Sequence, residues 1–296
     1  MAYLNFPRES KSAFRRWRAR VHRWRDQLPL ACLLCHTRVA GGLCEHCQQA
    51  VCATMLSGER CVRCDLALST PLDDMAVRRQ WSGVADVGRP SDEAMATGGP
   101  NDSAYVMECP DCPSLTPALH RVVAAFDYQW PGDLLIQRLK LQGRFSCAPI
   151  LARIMADRLD RVIPDERPGP LVVTAVPASR ASILLRGYNP AAELARALAR
   201  RMRLPWMPSL LGRAERATRQ KDLDRQARRR EVQGLYHATP AAAGRCVIVV
   251  DDVMTTGSTL DAVASALAEH AAAQVWGAVA ARTGTPASLR ALASPG

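Results

Sequence analysis

The sequence predicts an α/β fold: a mostly parallel, doubly wound sheet with helices on its faces, preceded by a small cysteine-rich module. Three observations carry this. Short apolar, β-branched runs at 122–128, 171–176, 247–250 and 275–281 alternate with stretches of helical periodicity, the pattern of parallel strands joined by crossover helices. Four Cys-x-x-Cys pairs are confined to residues 32–112. Finally, residues 246–260 read CVIVVDDVMTTGSTL: a wholly apolar strand, two carboxylates, a small polar loop and the start of a helix.

Composition sets the bounds. A chain of 296 residues with 48% apolar content builds one or two domains with a real core. The formal net charge of +11 favours anionic partners. No run of about 18 apolar residues is present, so no membrane span is expected. The N-terminus lacks the apolar stretch of a signal peptide, which places the protein in the cytoplasm. Thiols stay reduced there, so clustered cysteines read as metal ligands rather than disulfides.

Residues 1–30 form a basic arm with Arg15, Arg16, Arg18, Arg20, Arg23 and Arg25, and with Trp17 and Trp24 one heptad apart. It reads either as a solvated helix with two docking tryptophans or as an anion-binding arm. A zinc-ribbon module is expected over 31–113. Cys32, Cys35, Cys44 and Cys47 form one four-thiolate set, because two Cys-x-x-Cys turns complete a tetrahedral Zn²⁺ site. Cys61, Cys64, Cys109 and Cys112 form a second set, with interleaved pairing between the two left open. One or two structural zinc ions follow. Residues 66–108, rich in Gly, Pro, Asp and Ser, predict a disordered insertion.

The larger domain spans 118–296. Its helices are expected at 134–142, carrying Arg138 and Lys140, at 149–162 and at 191–202, with a ligand-facing loop over 177–189. Arg180 and Arg186 there are candidates for holding pyrophosphate through forked hydrogen bonds. Residues 213–230, crowded with arginine, suit closure over a polyphosphate, tracking of a nucleic-acid backbone, or a solvated basic helix.

The chemistry concentrates at 251–259. A Gly/Ser/Thr loop entering a helix offers backbone N–H groups, hydroxyls and a favourable dipole to a phosphate. Asp251 and Asp252 would repel that phosphate in direct contact. They suit ribose hydroxyls, directly or beside Mg²⁺. The pattern resembles the PRPP-binding motif of type I phosphoribosyltransferases, and it lacks the Gly-Lys-Ser/Thr of a Walker loop.

Further segments widen the resemblance: the paired Cys-x-x-Cys motifs; Leu139-Lys140 with Gly143; Val176-Pro177; Arg186-Gly187-Tyr188-Asn189; and Gln220, Leu223 and Arg228. Together they are similar to the ComF family of competence-associated proteins, which join a zinc ribbon to a phosphoribosyltransferase domain. The resemblance implies a type I phosphoribosyltransferase core. It implies Asp251 and Asp252 as ribose contacts and Thr255, Thr256, Gly257, Ser258 and Thr259 as the 5′-phosphate cradle. It adds Arg186 and Gly187 on the pyrophosphate side, and Mg²⁺ with PRPP. Pro190 and Glu231 depart from the family's Gln and Asn.

Two functions compete at this stage. One is transfer of a phosphoribosyl group from PRPP to an unidentified acceptor, with no general base discernible. The other is a non-catalytic adaptor for single-stranded DNA in transformation, working with a competence-machinery protein. Base-stacking side chains, which such an adaptor needs, are scarce: beyond Trp17 and Trp24 only Tyr188, Trp206 and Tyr236 stand out.

Overall fold

The computed structural model describes residues 30–39, 42–54, 59–68, 109, 112, 115–215 and 234–284. The basic arm at 1–29, most of the insertion, and the arginine-rich segment 216–233 with Gln220, Leu223, Arg228 and Glu231 lie outside the described residues.

In chain order the elements are β1 (Leu30–Ala31), β2 (Arg38–Val39), α1 (Glu45–Ala53), β3 (Glu59–Arg60), β4 (Ala67–Leu68) and β5 (Leu119–Asp127). Then follow α2 (Gly132–Gln142), α3 (Cys147–Val162), β6 (Leu171–Ala175), α4 (Arg180–Arg186) and α5 (Pro190–Met202). The last are β7 (Leu211–Arg213), β8 (Tyr236–Ala238), β9 (Cys246–Met254), α6 (Ser258–Glu269) and β10 (Gln274–Arg282). Four strands form one parallel sheet in the order β5-β10-β9-β6. The fold is therefore the expected α/β sheet flanked by helices, with four-cysteine groups towards the N-terminus.

Both faces of the sheet are apolar, as the uninterrupted hydrophobic strands require. On one face Val123, Ile248, Val250 and Ala278 join α2, α3, α5 and the cysteine group of 32–47 in one core. On the other, Val122, Val247, Val249 and Val279 meet α6, the β7–β8 pair and the cysteine group of 61–112. Gly277 lets α6 and β5 crowd the central strand: a Cβ there would lie 3.0 Å from Leu260 Cδ1 and 3.0 Å from Val122 Cγ2. Helix α5 begins as its sequence dictates. The Asn189 side chain accepts from the Ala191 N–H, and Pro190 occupies the first turn, where a missing N–H costs nothing.

The sequence and the structure part at three places. Helix α4 lies inside the expected 177–189 loop. Its seven residues are all at least partly exposed, so no buried stripe betrays it; the Ser179 hydroxyl caps it by accepting from Ser182 N–H at 3.2 Å. The β7–β8 pair was not expected either, because two three-residue strands far apart in sequence give no alternation to read. Strand β9 runs through the acid pair to Met254 instead of ending at Val250. Its pairing with β10 continues through Asp251↔Val279 and Val253↔Ala281, since backbone hydrogen bonds are indifferent to side-chain polarity.

An unpaired sheet edge must be covered, and the cysteine-rich segment covers β5. Val122 N–H donates to Arg63 O at 2.7 Å. Ala124 N–H donates to Asp65 Oδ2 at 2.8 Å, and Asp127 N–H to Thr54 Oγ1 at 3.2 Å. Asp65 is buried and also binds two cations, Arg60 Nε at 3.2 Å and Arg158 Nη2 at 3.2 Å. Arg60 reaches on to Asp127 at 2.6 Å. At the far edge, β6 is met by the 205–207 segment: Val173 N–H donates to Pro205 O, and Met207 N–H to Val173 O, each at 2.9 Å.

Asp65→Ala strips two guanidiniums and a strand amide of one shared acceptor. Breaking such a buried network costs about 3–5 kcal/mol. Urea denaturation should show a loss of that size. Asp65→Asn, which keeps one acceptor oxygen, should lose less.

Candidate functional site

The site is built from β9 outward. Side chains alternate along a strand, so Asp251 follows Val249 onto one face and Asp252 follows Val250 onto the other. The pair is tied through the main chain: Asp252 N–H donates to Asp251 Oδ1 at 2.8 Å. Lys140, in the last turn of α2, donates to both Asp252 carboxylate oxygens, each at 3.0 Å. The helix is held in position around it. Gly143 closes α2 in the left-handed conformation at φ 62°, and the Tyr188 hydroxyl donates to Leu139 O. Among the described residues, no ion pair reaches Asp251. Burial, and then the neighbouring Asp252 carboxylate, push it up to about 7.

After Met254 the chain turns through Thr255–Gly257 into α6. Gly257 adopts φ +81°, and a Cβ there would stand 2.4 Å from Met254 Cε, so only glycine fits. The Thr256 and Ser258 hydroxyls lie 3.0 Å apart. Asp251 together with residues 253–260 lines a concavity of about 250 Å³, open solvent included. Residues just after Cys112 brace this loop from behind. Leu115 Cδ2 lies 3.3 Å from the same Cβ position, and Thr116 donates to Asp261 Oδ1 through N–H at 2.6 Å and through Oγ1 at 2.8 Å. The concavity thus presents hydroxyls and a helix N-terminus for an anion, with a carboxylate at its rim.

The β6 loop reaches the same end of the sheet. Val176 N–H donates to Val250 O at 2.9 Å, and Asn189 Nδ2 donates to Val176 O at 2.9 Å. Arg180 is exposed, and its backbone N–H donates to Glu215 Oε1 at 3.2 Å. Arg186 ends α4, and Gly187 caps it at φ +79°. Among the described residues, no hydrogen bond or ion pair joins the Arg180 or Arg186 side chain to the 251–259 segment. Of the three stacking candidates, Tyr236 is buried beneath Arg213, whose guanidinium carbon is 5.7 Å from the ring centroid. Trp206 packs against the core, and Tyr188 meets Phe145 edge-on at 4.9 Å between centroids.

Sequence reasoning placed Lys140 on its helix without giving it a partner. Arg282 directly follows the apolar run at 275–281, with nothing local to mark a role. A cation ending a helix or strand that abuts the carboxyl ends of the sheet is the signal that would have found both.

The cysteines resolve into the two expected sets without interleaving. Within each set, the four sulfurs lie within 4.8 Å of one another. Cys35 and Cys44 sulfurs are 3.6 Å apart, Cys61 and Cys112 3.3 Å, and Cys64 and Cys109 3.4 Å. A tetrahedral zinc–thiolate site needs sulfurs about 3.8 Å apart, so both sets fit zinc after small outward adjustments. All eight are free thiols. Cys109 N–H donates to Cys61 Sγ at 3.2 Å and Cys47 N–H to Cys44 Sγ at 3.4 Å. Asp251 is an oxygen ligand suited to Mg²⁺. No helix among the described residues is long and apolar enough to cross a membrane.

Known proteins agree with this architecture. The phosphoribosyl transferase domain family matches residues 181–290. The DNA utilization protein YhgH of Escherichia coli O157:H7 is 31% identical over 179 residues, which is 57% of this chain and 76% of that protein. Competence protein F of Haemophilus influenzae is 29% identical over 179 residues, 58% of this chain and 78% of that one. The chain belongs to the ComF family. A solved hypoxanthine phosphoribosyltransferase from Trypanosoma cruzi is a looser likeness, with 18% identity, coverage of 50% of this chain and 67% of that one, and a TM-score of 0.28. Within the ComF frame, Pro190 is the departure with a visible reason, since it starts α5.

Two outcomes test the site. Chelation at neutral pH should release two equivalents of zinc and lower the melting temperature, because metal binding and folding of such modules are coupled; an unchanged melt refutes both metal centres. Asp251 holds its proton more tightly when folded than its reference value of 3.8. The stability from that proton is complete below about pH 4 and is lost as pH rises to about 7. Asp251→Asn should therefore melt above wild type at pH 8, with the difference shrinking towards pH 5.

Proposed function

We propose that this ComF-family protein binds PRPP with Mg²⁺ at the carboxyl end of β9 and transfers its phosphoribosyl group to an acceptor. The observation that carries this reading is the order and geometry of β9, acid pair, glycine-turned hydroxyl loop and α6. Thr255, Thr256, Gly257, Ser258 and Thr259 cradle the 5′-phosphate. Asp251 and Asp252 accept hydrogen bonds from the ribose hydroxyls. Mg²⁺, when bound, neutralises charge on the pyrophosphate. Arg180, Arg186 and Gly187 serve the pyrophosphate side, reached when α4 and its flanking loop close. The leaving group departs from C1 as positive charge builds on the sugar, so positioning and charge neutralisation supply the rate enhancement. Lys140 holds the Asp252 carboxylate in position until the ribose arrives. We place this activity in the cytoplasm, on a domain spanning 118–296 that follows a zinc-ribbon module at 31–113 and a basic arm at 1–30.

A second reading is supported by the relatives' names, DNA utilization protein and competence protein, and by the net charge of +11. The protein then serves DNA uptake as a single-stranded DNA adaptor beside a competence-machinery protein. Phosphate-driven binding of that kind weakens steeply with salt, so a flat salt dependence removes it.

Calorimetric titration with PRPP and Mg²⁺ tests the first reading. Wild type should bind saturably, and Asp251→Asn with Asp252→Asn should lose at least a hundredfold in affinity while remaining folded. Unchanged affinity overturns the assignment. Binding at pH 7 should also release protons, visible as a dependence of the heat on the buffer, because ligation requires Asp251 ionised.

A further inference from the structure

Arg282 ends β10 and is 1% exposed. A buried guanidinium ordinarily meets a carboxylate, since an uncompensated charge is costly to desolvate. Arg282 meets none: among the described residues it forms no ion pair, and its Nε has no hydrogen-bond partner. Its Nη1 donates only to main-chain carbonyls, those of Met254 at 3.3 Å, Thr255 and Thr283 at 2.9 Å. Two of these belong to the chain as it enters the 255–259 loop. Thr283 adds a second hold, donating its N–H to Met254 O at 3.0 Å.

The consequence follows from peptide geometry. In a trans peptide the carbonyl and the next N–H point in opposite directions. Fixing Met254 O and Thr255 O on Arg282 therefore turns the Thr255 and Thr256 N–H groups away from it. Both residues line the concavity beside Asp251. The same side chain that aims two donors also places a buried positive charge behind them, in a medium where charge acts at longer range than in water.

We propose that Arg282 is a positioning residue for the phosphate loop, and that the counterion missing from its buried charge is the phosphate monoester of the ligand. This rests on the phosphate-cradle reading of 255–259 and adds to it the device that makes the cradle an anion site. Arg282 touches no ligand; it acts through the Met254 and Thr255 carbonyls and through its charge. The class of ligand it selects is a sugar phosphate whose monoester is dianionic, in preference to the free sugar or a neutral ester.

Ribose 5-phosphate is the probe, titrated by calorimetry into the full-length, zinc-loaded protein without Mg²⁺. Arg282→Gln keeps a donor for the carbonyls and removes the charge; Arg282→Lys keeps the charge. Affinity should fall at least tenfold in Arg282→Gln and stay within about threefold of wild type in Arg282→Lys. In an Asp251→Asn background, which removes the carboxyl that titrates in the same window, affinity should rise as pH is raised from 5.5 to 7.5 and the monoester loses its second proton, and this gain should be largely absent when Arg282→Gln is added. Equal affinity in wild type and Arg282→Gln, or equal losses in both variants, overturns the role of Arg282 while leaving the cradle intact. Failure of wild type to bind ribose 5-phosphate overturns the cradle reading and this proposal with it. If Arg282→Gln does not fold, wild type labelled with ¹⁵N-arginine decides. The Arg282 Nε resonance should shift on saturation with ribose 5-phosphate and stay fixed with ribose, and no shift refutes the proposal.

Discussion

The structure depends on burying both faces of β9. Its residues 246–250 are all fully buried, and each face needs its own cover. Helices α3 and α5 supply one and α6 supplies the other, and a cysteine group joins each core. Only with both covers in place are the ends of β9 and β6 held in register, with Ala175 opposite Val250. The ligand end of the sheet is the place where that apolar strand gives out. Asp251 and Asp252 are the first polar side chains on it, and they inherit its alternation. One carboxyl meets Lys140 and is neutralised there; the other keeps its proton up to about neutral pH. The electrostatic inequality of two adjacent aspartates is thus a direct product of strand geometry.

Much of this was legible in the sequence, and the reasons are physical. Residues 247–250 and 275–281 announce buried strands because nothing else tolerates such density of β-branched and small side chains in so short a run. The cysteine sets were legible because tetrahedral thiolate coordination imposes its spacing, even across the long interval between Cys64 and Cys109. The turn from β9 into α6 was legible because Gly257 supplies the left-handed conformation that the turn needs. What escaped was long-range or too short to be periodic. Helix α4 buries nothing, and β7 and β8 contribute three residues each. The contact between Lys140 and Asp252 spans 112 positions. No local pattern records that contact, nor the anchoring of Met254 and Thr255 by Arg282.

The cysteine-rich segment is more than an appendage to the α/β sheet. Arg63 and Asp65 complete hydrogen bonds that β5 would otherwise leave open, and Arg63 also holds the Cys112, Leu115 and Thr116 carbonyls. From Thr116 the chain reaches Asp261 in the first turn of α6. The cysteine group of 61–112 and the 255–259 loop are therefore linked by hydrogen bonds that run through the Arg63, Thr116 and Asp261 side chains.

The sheet order has a consequence for biosynthesis. Among the described strands β10 is the last in sequence, yet it lies between β5 and β9 and pairs with both. Until residue 282 has left the ribosome, the first sheet strand has no neighbour within the sheet and β9 lacks one of its two. The β6–β9 pair can form earlier, but β5, made first, waits unpaired within the sheet for this nine-residue strand. The residue that closes that segment is Arg282, so the hold on the Met254 and Thr255 carbonyls forms only once this strand is in place.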